Sequence, residues 1–400
     1  MIIKPSIRNN LFTNSHPIGC LKQVKSQFEN INKLDKFDAP KNVLIIGGSS
    51  GYGLASRITL GVAGNSNTIN VSFESAPKGK RSGTAGYWNN VAFHKYIESY
   101  GGIHKDFIGD AFSDEMIEQV TNYIKNEVGK IDLVIYSVAS GARKNSKTGE
   151  VVKSFIKALG EDVTGLTMDI VKHEVFELEV TNASKEEVES TVYVMGGSNW
   201  EDWINHLDNE GVLNTHFKTI SYTYIGGETT KAIYRGGTLG KAKEDLEETT
   251  TRLNTMIQKK YDGEALVSSS KAVATKASIY IPQMPIYVSC LYNVMIDNNV
   301  HETIEEHKYR LFKDMVYGTN RILDEKGRIR LDNLEMDQTI QKQALALMND
   351  LDFKTFFDLD GTKVFLSDLF QLNGFGFDDI DYDMDIDISE LDSQFNYIKV

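Results

Sequence analysis

A tyrosine and two lysines stand close together in the segment 234–243, which reads Tyr-Arg-Gly-Gly-Thr-Leu-Gly-Lys-Ala-Lys. A phenol is a weak acid with an unperturbed pKa of about 10, but a nearby ammonium group favours the phenolate and lowers that pKa. A tyrosine paired with a lysine can thus give a proton or a hydrogen bond to an oxygen on which negative charge develops. We therefore predict catalysis by Tyr234 with one of these lysines, which could also bind a cofactor ribose.

The spacing alone does not choose between the two lysines. Lys241 lies seven positions after Tyr234 and would share its face of a continuous helix, whereas Lys243 lies nine positions after and would face the opposite way. Three glycines in this segment disfavour a continuous helix. We expect a loop followed by a helix that is capped near Thr238, which frees the geometry of either lysine.

A second tyrosine–lysine pair has the Tyr-x3-Lys spacing of ordinary short-chain dehydrogenases. Tyr309 and Lys313 follow the polar stretch 301–308, which reads His-Glu-Thr-Ile-Glu-Glu-His-Lys. No strand that could end in an active site precedes this helical stretch. We interpret the pair as part of the protein surface.

A glycine-rich loop follows a short apolar segment at 43–48. Residues 47–55 read Gly-Gly-Ser-Ser-Gly-Tyr-Gly-Leu-Ala, a Gly-x3-Gly-x-Gly pattern. Glycines allow a tight turn and let backbone amides approach a pyrophosphate, while the start of the next helix adds partial positive charge. Because the loop links a strand pattern to a helix pattern, it predicts a dinucleotide site.

An acidic residue stands where a dinucleotide would place its adenosine ribose. The strand predicted at 68–74 ends at Glu74, about 20 residues beyond the loop, where a carboxylate can accept hydrogen bonds from the ribose hydroxyls. The same carboxylate repels a 2′-phosphate. We therefore predict NADH rather than NADPH as the cofactor.

Two more loops follow predicted strands, at the sheet edge where doubly wound folds bind ligands. Asp110 and Ala111 follow the third strand, 104–109, and are placed to meet the adenine. Residues 137–140 stand at the carboxyl end of the fourth strand, 131–139, and are placed beneath the nicotinamide ribose.

Strand and helix patterns alternate strictly through the first 145 residues. This order predicts an α/β fold of Rossmann type, a doubly wound parallel sheet with helices on both faces. We expect one large domain over 1–400, with 1–40 packed on it as an N-terminal extension. The looser pattern at about 145–217 predicts an insertion with antiparallel strands, including a pair or hairpin over 174–194, that covers the substrate site.

Composition excludes several classes of protein. The 400 residues carry a net charge of −13, which disfavours nucleic acid or an anionic membrane as a partner. The two cysteines are too few for a disulfide framework or a cysteine-rich zinc site, and they fit the reducing cytoplasm. No apolar run is long enough to span a membrane, and the N-terminus does not resemble a signal peptide.

Several motifs resemble one enzyme family nearly from end to end, the FabV-type enoyl-acyl-carrier-protein reductases and trans-2-enoyl-CoA reductases. The most specific is Tyr234-x8-Lys243, which distinguishes this family from Tyr-x3-Lys and Tyr-x6-Lys enzymes of the same superfamily. The other shared motifs are Met1-Ile2-Ile3-Lys4-Pro5, His16-Pro17-Ile18-Gly19-Cys20, Gly51-Tyr52-Gly53-Leu54-Ala55-Ser56-Arg57, Gly109-Asp110-Ala111-Phe112, Val194-Met195-Gly196-Gly197, Tyr222-Thr223-Tyr224-Ile225-Gly226 and Val273-Ala274-Thr275.

The resemblance implies a role for each matching residue. Tyr234 corresponds to the proton donor, Lys243 to the lysine that contacts NADH, and Tyr224 to a substrate contact at the thioester carbonyl. The implied cofactor contacts are Gly47, Gly48, Ser49, Ser50, Gly51, Tyr52, Phe73, Glu74, Asp110, Ala111, Val138, Ala139, Lys243, Val273, Ala274 and Thr275. Neither a metal nor a flavin is implied.

The resemblance thus implies NADH-dependent reduction of the carbon–carbon double bond of trans-2-enoyl thioesters, in fatty acid biosynthesis. The acyl carrier is coenzyme A or acyl-carrier protein, and we expect a monomer. Both carriers are acidic, and basic side chains that could receive them are Arg81, Arg143, Lys144, Lys271 and Lys276. The alternatives are a ketoreductase of the short-chain type and a non-catalytic NAD-binding protein.

Overall fold

A computed structural model describes residues 1–275 and 278–400, so Lys276, one of the predicted basic residues, lies outside the described residues. The strands are β1 (Ile7–Arg8), β2 (Leu11–Phe12), β3 (Asn42–Ile46), β4 (Asn67–Ser72), β5 (His104–Ile108), β6 (Ile131–Tyr136), β7 (Ala142–Lys144), β8 (Val151–Lys153), β9 (Val163–Asp169), β10 (Glu174–Val180), β11 (Leu213–Thr223), β12 (Glu264–Ser269), β13 (Ile329–Arg330) and β14 (Tyr397–Lys399). The helices are α1 (Pro17–Asn32), α2 (Gly51–Val62), α3 (Ala85–Ile97), α4 (Asp114–Tyr123), α5 (Lys185–Met195), α6 (Ser198–Asn209), α7 (Glu228–Lys231), α8 (Thr238–Tyr261), α9 (Met284–Asp297), α10 (Ile304–Arg310), α11 (Gln338–Asn349) and α12 (Asp360–Gln371).

Eight of the strands form one parallel sheet in the order β13-β12-β11-β6-β3-β4-β5-β14. The chain runs outward from β3 through β4 to β5 and then returns to add β6 on the other side of β3. Between β3 and β6 the winding direction therefore reverses, and ligands bind such sheets at the carboxyl ends of the strands beside this point. The predicted doubly wound fold is confirmed.

Side chains of β3 alternate between two helical layers. Leu44 and Ile46 pack in a core with residues of α4, α6 and α8, whereas Val43 and Ile45 pack in a core with α2 and the turn that continues α10. All four side chains are fully buried. This burial on both faces explains why the strands are apolar throughout rather than alternating.

The segments outside the sheet contain both predicted and unpredicted features. Helix α1 packs on α3, with the rings of Phe28 and Phe93 5.6 Å apart. The hairpin β9–β10 and the pair β7–β8 are antiparallel and lie outside the main sheet. The antiparallel pair or hairpin predicted over 174–194 is wrong in its second half, because Ser184 and Glu187 form a capping box that begins α5.

The polar stretch 301–308 is also not the surface helix that its composition indicated. His307 and Lys308 are fully buried, and Tyr309 is buried with its hydroxyl donating to the carbonyl of Asp35 at 2.9 Å. These residues lie on α10, which packs against α2 directly behind the glycine loop. Of the Tyr309–Lys313 pair, only Lys313 is partly exposed, at 33%. Among the described residues, no helix is both long and apolar enough to cross a bilayer.

Candidate active site

The glycine loop lies between the ends of β3 and β6, where the winding of the sheet reverses. Gly47 has a φ of +94°, and a Cβ atom placed on it would lie 2.3 Å from the carbonyl oxygen of Ser137. Its amide donates to the carbonyl of Val71 at 2.8 Å. A Cβ on Gly53 would lie 2.0 Å from the carbonyl oxygen of Gly47. Larger residues at 47 and 53 would therefore separate α2 from the strand ends and open the loop.

A buried polar network supports this loop from below, and the sequence motifs did not reveal it. The Asn70 side chain accepts a hydrogen bond from the Gly48 amide at 2.9 Å and donates to Asp106 at 2.7 Å. Asp106 forms a fully buried bidentate ion pair with Arg57, at 3.0 and 2.8 Å. Burial raises the pKa of Asp106, but Arg57 and His94 outweigh it and hold that pKa well below its usual range. The network thus remains charged and fixes the loop amide.

Glu74 is held by hydroxyl groups at the edge of the loop. Ser49 donates to one carboxylate oxygen at 2.6 Å, and Thr84 donates to the other. Strand β4 ends at Ser72, two residues earlier than predicted, so Glu74 stands in the loop beyond the strand. The neighbouring Phe73 side chain is 81% exposed. A carboxylate and an open aromatic ring therefore stand side by side where an adenosine would lie.

The other predicted cofactor positions border the same sheet edge. Asp110 accepts a hydrogen bond from the Phe112 amide at 2.9 Å, and the Ala111 carbonyl accepts one from Trp203 at 2.9 Å. Val138 packs partly into the core, whereas Ala139 is exposed. Residues 273–275 follow β12, and within them Val273 and Ala274 are buried and Thr275 is half-buried.

Tyr52 connects the loop to the segment after β12. Its hydroxyl donates to the Lys271 carbonyl. The buried ammonium group of Lys308 lies 4.2 Å from the Tyr52 ring centre and 3.7 Å from that of Tyr222, and it donates to Ser270 at 2.7 Å. Cation–π contacts of this kind stabilise a charge away from water. Burial nevertheless holds the pKa of Lys308 well below its usual value.

The structure separates the two candidate lysines. The Lys243 ammonium group donates to the Tyr222 carbonyl at 3.1 Å, at the carboxyl end of β11. Lys241 is half-exposed and pairs with Glu244 at 2.8 Å on the outer face of α8. Helix α8 begins at Thr238, as predicted, but its N-cap residue is Gly237, which offers no side-chain cap. Burial lowers the pKa of Lys243 to about 8.

Tyr234 lies beside Tyr224, with 4.9 Å between the ring centres and 88° between the ring planes. The prediction that a lysine lowers the pKa of Tyr234 is wrong for this structure. Burial raises that pKa to about 12, because it penalises the phenolate more than neighbouring Arg235 favours it. Tyr234 is therefore a neutral hydrogen-bond donor throughout the physiological range.

The segment that carries Tyr234 is fixed by an ion-pair cluster on α8 that the sequence did not indicate. Arg235 forms two hydrogen bonds to Glu247, at 2.7 and 2.9 Å, and Arg328 reaches the same carboxylate at 3.1 Å. Thr223, the last residue of β11, donates to Glu247 at 3.1 Å. Glu247 therefore ties the tyrosine segment to the end of the central strand.

A second unpredicted carboxylate lies on the far side of the tyrosines. Glu335 is fully buried, and one of its oxygens accepts hydrogen bonds from Tyr224 at 3.0 Å and Tyr287 at 2.8 Å. Its other oxygen accepts from the Ala272 amide at 2.6 Å. Glu335 thus joins the tyrosine cluster to the segment that leads into residues 273–275. Nothing in the sequence around it distinguishes it from other acids.

The fold and the loop define a dinucleotide-binding protein of Rossmann type. A profile described as the trans-2-enoyl-CoA reductase catalytic region matches residues 81–317, and one described as the NAD(P)H binding domain of that enzyme matches residues 2–79. The chain belongs to the trans-2-enoyl-CoA reductase family.

Curated relatives and solved structures match over nearly the whole chain. A trans-2-enoyl-CoA reductase [NADH] of Clostridium beijerinckii is 44% identical, with 98% of this chain and 99% of the relative covered. An enoyl-[acyl-carrier-protein] reductase [NADH] of Photobacterium profundum is 42% identical over the same shares. The trans-2-enoyl-CoA reductase of Clostridium acetobutylicum, solved with NADH, superimposes with a TM-score of 0.95 at 40% identity, covering 98% of this chain and 99% of that one.

A third profile, described as an enoyl reductase FAD binding domain, matches residues 323–386. These residues do not fit a flavin dinucleotide. They include 15 acidic and 6 basic side chains, which disfavours a pyrophosphate, and the arginines Arg328 and Arg330 are already paired with Glu247, Asp324 and Asp332. Helices α11 and α12 instead pack their apolar faces against α9. The segment contributes Glu335 to the tyrosine cluster and no flavin site.

Proposed function

We propose that this protein reduces the carbon–carbon double bond of trans-2-enoyl thioesters with NADH. The observation that carries the proposal is the convergence of Tyr234, Tyr224 and Lys243 at the sheet edge that also holds the glycine loop and Glu74. Relatives more than 40% identical over the full chain bear the names of NADH-dependent reductases of enoyl-CoA and of enoyl-acyl-carrier protein. Glu74 favours the cofactor without a 2′-phosphate.

The chemistry divides between the cofactor and the chain. Bound NADH supplies a hydride to the β-carbon of the enoyl thioester, which sends negative charge to the thioester oxygen. Tyr234 donates a hydrogen bond to that oxygen, and such a bond stabilises the transition state more than the ground state. A proton that exchanges with solvent then adds to the α-carbon, which restores the thioester carbonyl and completes the saturated acyl thioester. Tyr224 contacts the same carbonyl from the edge of the Tyr234 ring. Lys243 holds the cofactor ribose, and residues 47–52 receive the pyrophosphate.

The cofactor contacts complete the proposed site. Phe73 and Glu74 border the adenosine, Asp110 and Ala111 the adenine, and Val138 and Ala139 the nicotinamide ribose. Residues 273–275 close the nicotinamide end of the cleft, next to Tyr52. These assignments rest on the position of each residue at the carboxyl edge of the sheet, where doubly wound folds bind dinucleotides.

An absorbance assay of NADH oxidation tests the function. We expect turnover with crotonyl-CoA, dodecenoyl-CoA or an enoyl-acyl-carrier protein, and none with the corresponding saturated thioesters. Comparison of the three substrates identifies the preferred carrier and chain length. Reduction of a 3-ketoacyl thioester without reduction of crotonyl-CoA would identify a ketoreductase instead. Absence of NADH oxidation with every thioester, despite NADH binding, would identify a non-catalytic NAD-binding protein.

The setting of the enzyme is part of the proposal. We infer one working unit over 1–400, with 1–40 packed on it and 145–217 beside the substrate site, where the Lys157 carbonyl accepts the Thr238 amide at 2.9 Å. We also infer a monomer in the cytoplasm that takes part in fatty acid biosynthesis. The chain has only two cysteines, Cys20 and Cys290, and both are buried; two are too few for a disulfide framework, which suits a reducing compartment. Light scattering during size-exclusion chromatography tests the oligomeric state.

A further inference from the structure

Glu335 is a buried acid without a cation beside it. Its side chain has no exposed surface, and within residues 1–275 and 278–400 it forms no ion pair. Three donors reach it instead: the hydroxyls of Tyr224 and Tyr287 and the amide of Ala272. A buried acid that lacks a cation tends to keep its proton, because burial disfavours the charged form. Burial accordingly raises the pKa of Glu335 to about 7.

The hydrogen atoms around Glu335 are ordered by its neighbours. The Gln341 amide donates to the Tyr287 hydroxyl at 2.8 Å, so Tyr287 directs its own hydrogen to Glu335. The oxygen beside Ala272 accepts a backbone N–H, and the carbonyl oxygen of a carboxylic acid is the better acceptor for such a donor. A proton on Glu335 therefore belongs on the oxygen that faces Tyr224. In that state Glu335 donates and the Tyr224 oxygen accepts.

We propose that Glu335 is a positioning residue that sets the direction of the Tyr224 hydrogen bond during enoyl-thioester reduction. As a carboxylic acid it donates to the Tyr224 oxygen and leaves the Tyr224 hydrogen free to point toward the thioester oxygen beside Tyr234. As a carboxylate it accepts the Tyr224 hydrogen and withdraws it from the substrate. The inference rests on the proposed function, since it requires the substrate oxygen to lie at Tyr224 and Tyr234.

The other charged or titratable groups near Glu335 do not set the direction of the Tyr224 hydrogen bond. Besides the three donors, the titratable or charged groups that act on it are Asp332, Tyr52, Tyr292, Lys271 and Arg330. Arg330 is bound to Asp332 through two hydrogen bonds, at 2.8 and 2.9 Å, and Lys271 donates to the Glu302 carbonyl. Burial holds the pKa values of Tyr52 and Tyr292 well above their usual value, so both remain neutral.

The pH profile of turnover tests the proposal. With saturating NADH and crotonyl-CoA, a group with a pKa of about 7 predicts that kcat of the wild type falls by about tenfold between about pH 6 and about pH 8. In Glu335→Gln, the amide donates to Tyr224 at every pH, so the ratio of kcat at these two pH values approaches one.

Two further variants make the test specific. Asp368→Asn is the matched control, because burial likewise raises the pKa of Asp368 to about 7 on α12, and this variant retains the wild-type ratio. Tyr224→Phe removes the hydroxyl on which Glu335 acts, so the remaining kcat of this variant should no longer fall between about pH 6 and about pH 8. This variant keeps the test decisive even if Glu335→Gln folds poorly, which a thermal melt detects.

The outcomes separate the two proposals. If the wild type is active and the fall of kcat with pH persists in Glu335→Gln or in Tyr224→Phe, the role of Glu335 is overturned. The proposed reductase function is then unaffected. An active wild type with no fall in kcat over this range also overturns it. A wild type that oxidises no NADH with any enoyl thioester overturns the function and the inference together.

Discussion

The rings of Tyr224 and Tyr234 meet edge to face, with their centres 4.9 Å apart. One tyrosine directly follows strand β11, and the other stands four residues before the start of α8, so the connection between this strand and this helix folds back to bring them together. Glu247 fixes the Tyr234 segment from one side, and Glu335 binds Tyr224 from the other. The pair is thus held at two ends by carboxylates, one partly buried (Glu247) and one fully buried (Glu335), and the substrate carbonyl is proposed to lie between the hydroxyls.

Replacement of Tyr234 by phenylalanine tests the proton donor. We expect kcat with crotonyl-CoA to fall by about 10²- to 10⁴-fold, the usual contribution of a positioned acid, while the Kd for NADH is unchanged. Steady-state kinetics and a fluorescence titration measure the two quantities. Tyr309→Phe is the control, because its hydroxyl binds the Asp35 carbonyl away from the sheet edge, and its kcat stays at the wild-type level. Near-normal turnover of the Tyr234 variant would remove this residue from the mechanism.

Lys243 should contribute to NADH binding in a pH-dependent way. Lys243→Met loses a charge-assisted hydrogen bond, so we expect the Kd for NADH to rise by about 10- to 100-fold at neutral pH. Because burial lowers the pKa of Lys243 to about 8, the wild type loses this ammonium charge as the pH rises through that value, and its affinity for NADH falls. The variant has no such charge to lose, so its Kd does not change there.

Lys241→Met is the matched control for this titration. Lys241 pairs with Glu244 on the exposed side of α8, and its loss should leave the Kd for NADH at the wild-type value. Fluorescence titrations at several pH values measure the Kd for NADH of the wild type, Lys243→Met and Lys241→Met. If Lys241→Met weakens binding and Lys243→Met does not, the two lysines are assigned the wrong way round.

Glu74 should determine the choice between the two nicotinamide cofactors. In Glu74→Gln the repulsion of a 2′-phosphate is removed, and we expect the ratio of kcat/KM for NADH over NADPH to fall by about tenfold or more. Glu115→Gln, at an exposed position in the first turn of α4, removes the same charge elsewhere and leaves the ratio unchanged. A wild type that prefers NADPH would contradict the assignment of Glu74.

The buried ion pair of Arg57 and Asp106 should stabilise the folded protein in addition to fixing the glycine loop. Arg57→Met leaves a buried carboxylate without its partner, which costs about 3–5 kcal/mol in the free energy of unfolding at neutral pH. Asp106 has a lowered pKa in the folded state, so its contribution is complete above the unfolded pKa of about 4 and is lost as the pH falls. The difference in the free energy of unfolding between the wild type and Arg57→Met should therefore become smaller as the pH falls.

Urea unfolding at neutral and acidic pH measures this effect. Lys172→Met breaks an exposed contact of 3.9 Å with Asp169 and serves as the control, with an expected change below about 0.5 kcal/mol. Equal losses of stability in the two variants would contradict the importance of the buried network.

The sequence was sufficient to predict the central part of the fold. Residues 43–46 and 131–136 are almost entirely apolar because both faces of these strands are buried, whereas a strand with one face in water would alternate. The hairpin predicted over 174–194 was half wrong, because the apolar alternation continued into a segment that the capping box at Ser184 turns into a helix. The interpretation of the stretch 301–308 failed for another reason: Glu302 and His307 bind each other within the stretch, and Lys308 donates to the buried Ser270 hydroxyl, and composition reveals neither contact.

The site was predictable only where local sequence carries the chemistry. The glycine loop, Glu74 and the Tyr–Lys spacing are local patterns, and the structure places these residues along one edge of the sheet. Glu335 and Asn70 act through contacts with residues 111 and 22 positions away, respectively, and no spacing rule connects them. The raised pKa of Tyr234 likewise depends on burial, which only the assembled fold determines.

The destination of the transferred hydrogen tests the central claim most directly. The protein is incubated with crotonyl-CoA and NADH that carries deuterium at both positions of C4, and mass spectrometry locates the label in the product. Hydride transfer to the β-carbon predicts butyryl-CoA with one deuterium at C3 and hydrogen from the solvent at C2. Deuterium at C2, an unlabelled butyryl product, or no reduction of crotonyl-CoA would contradict the account.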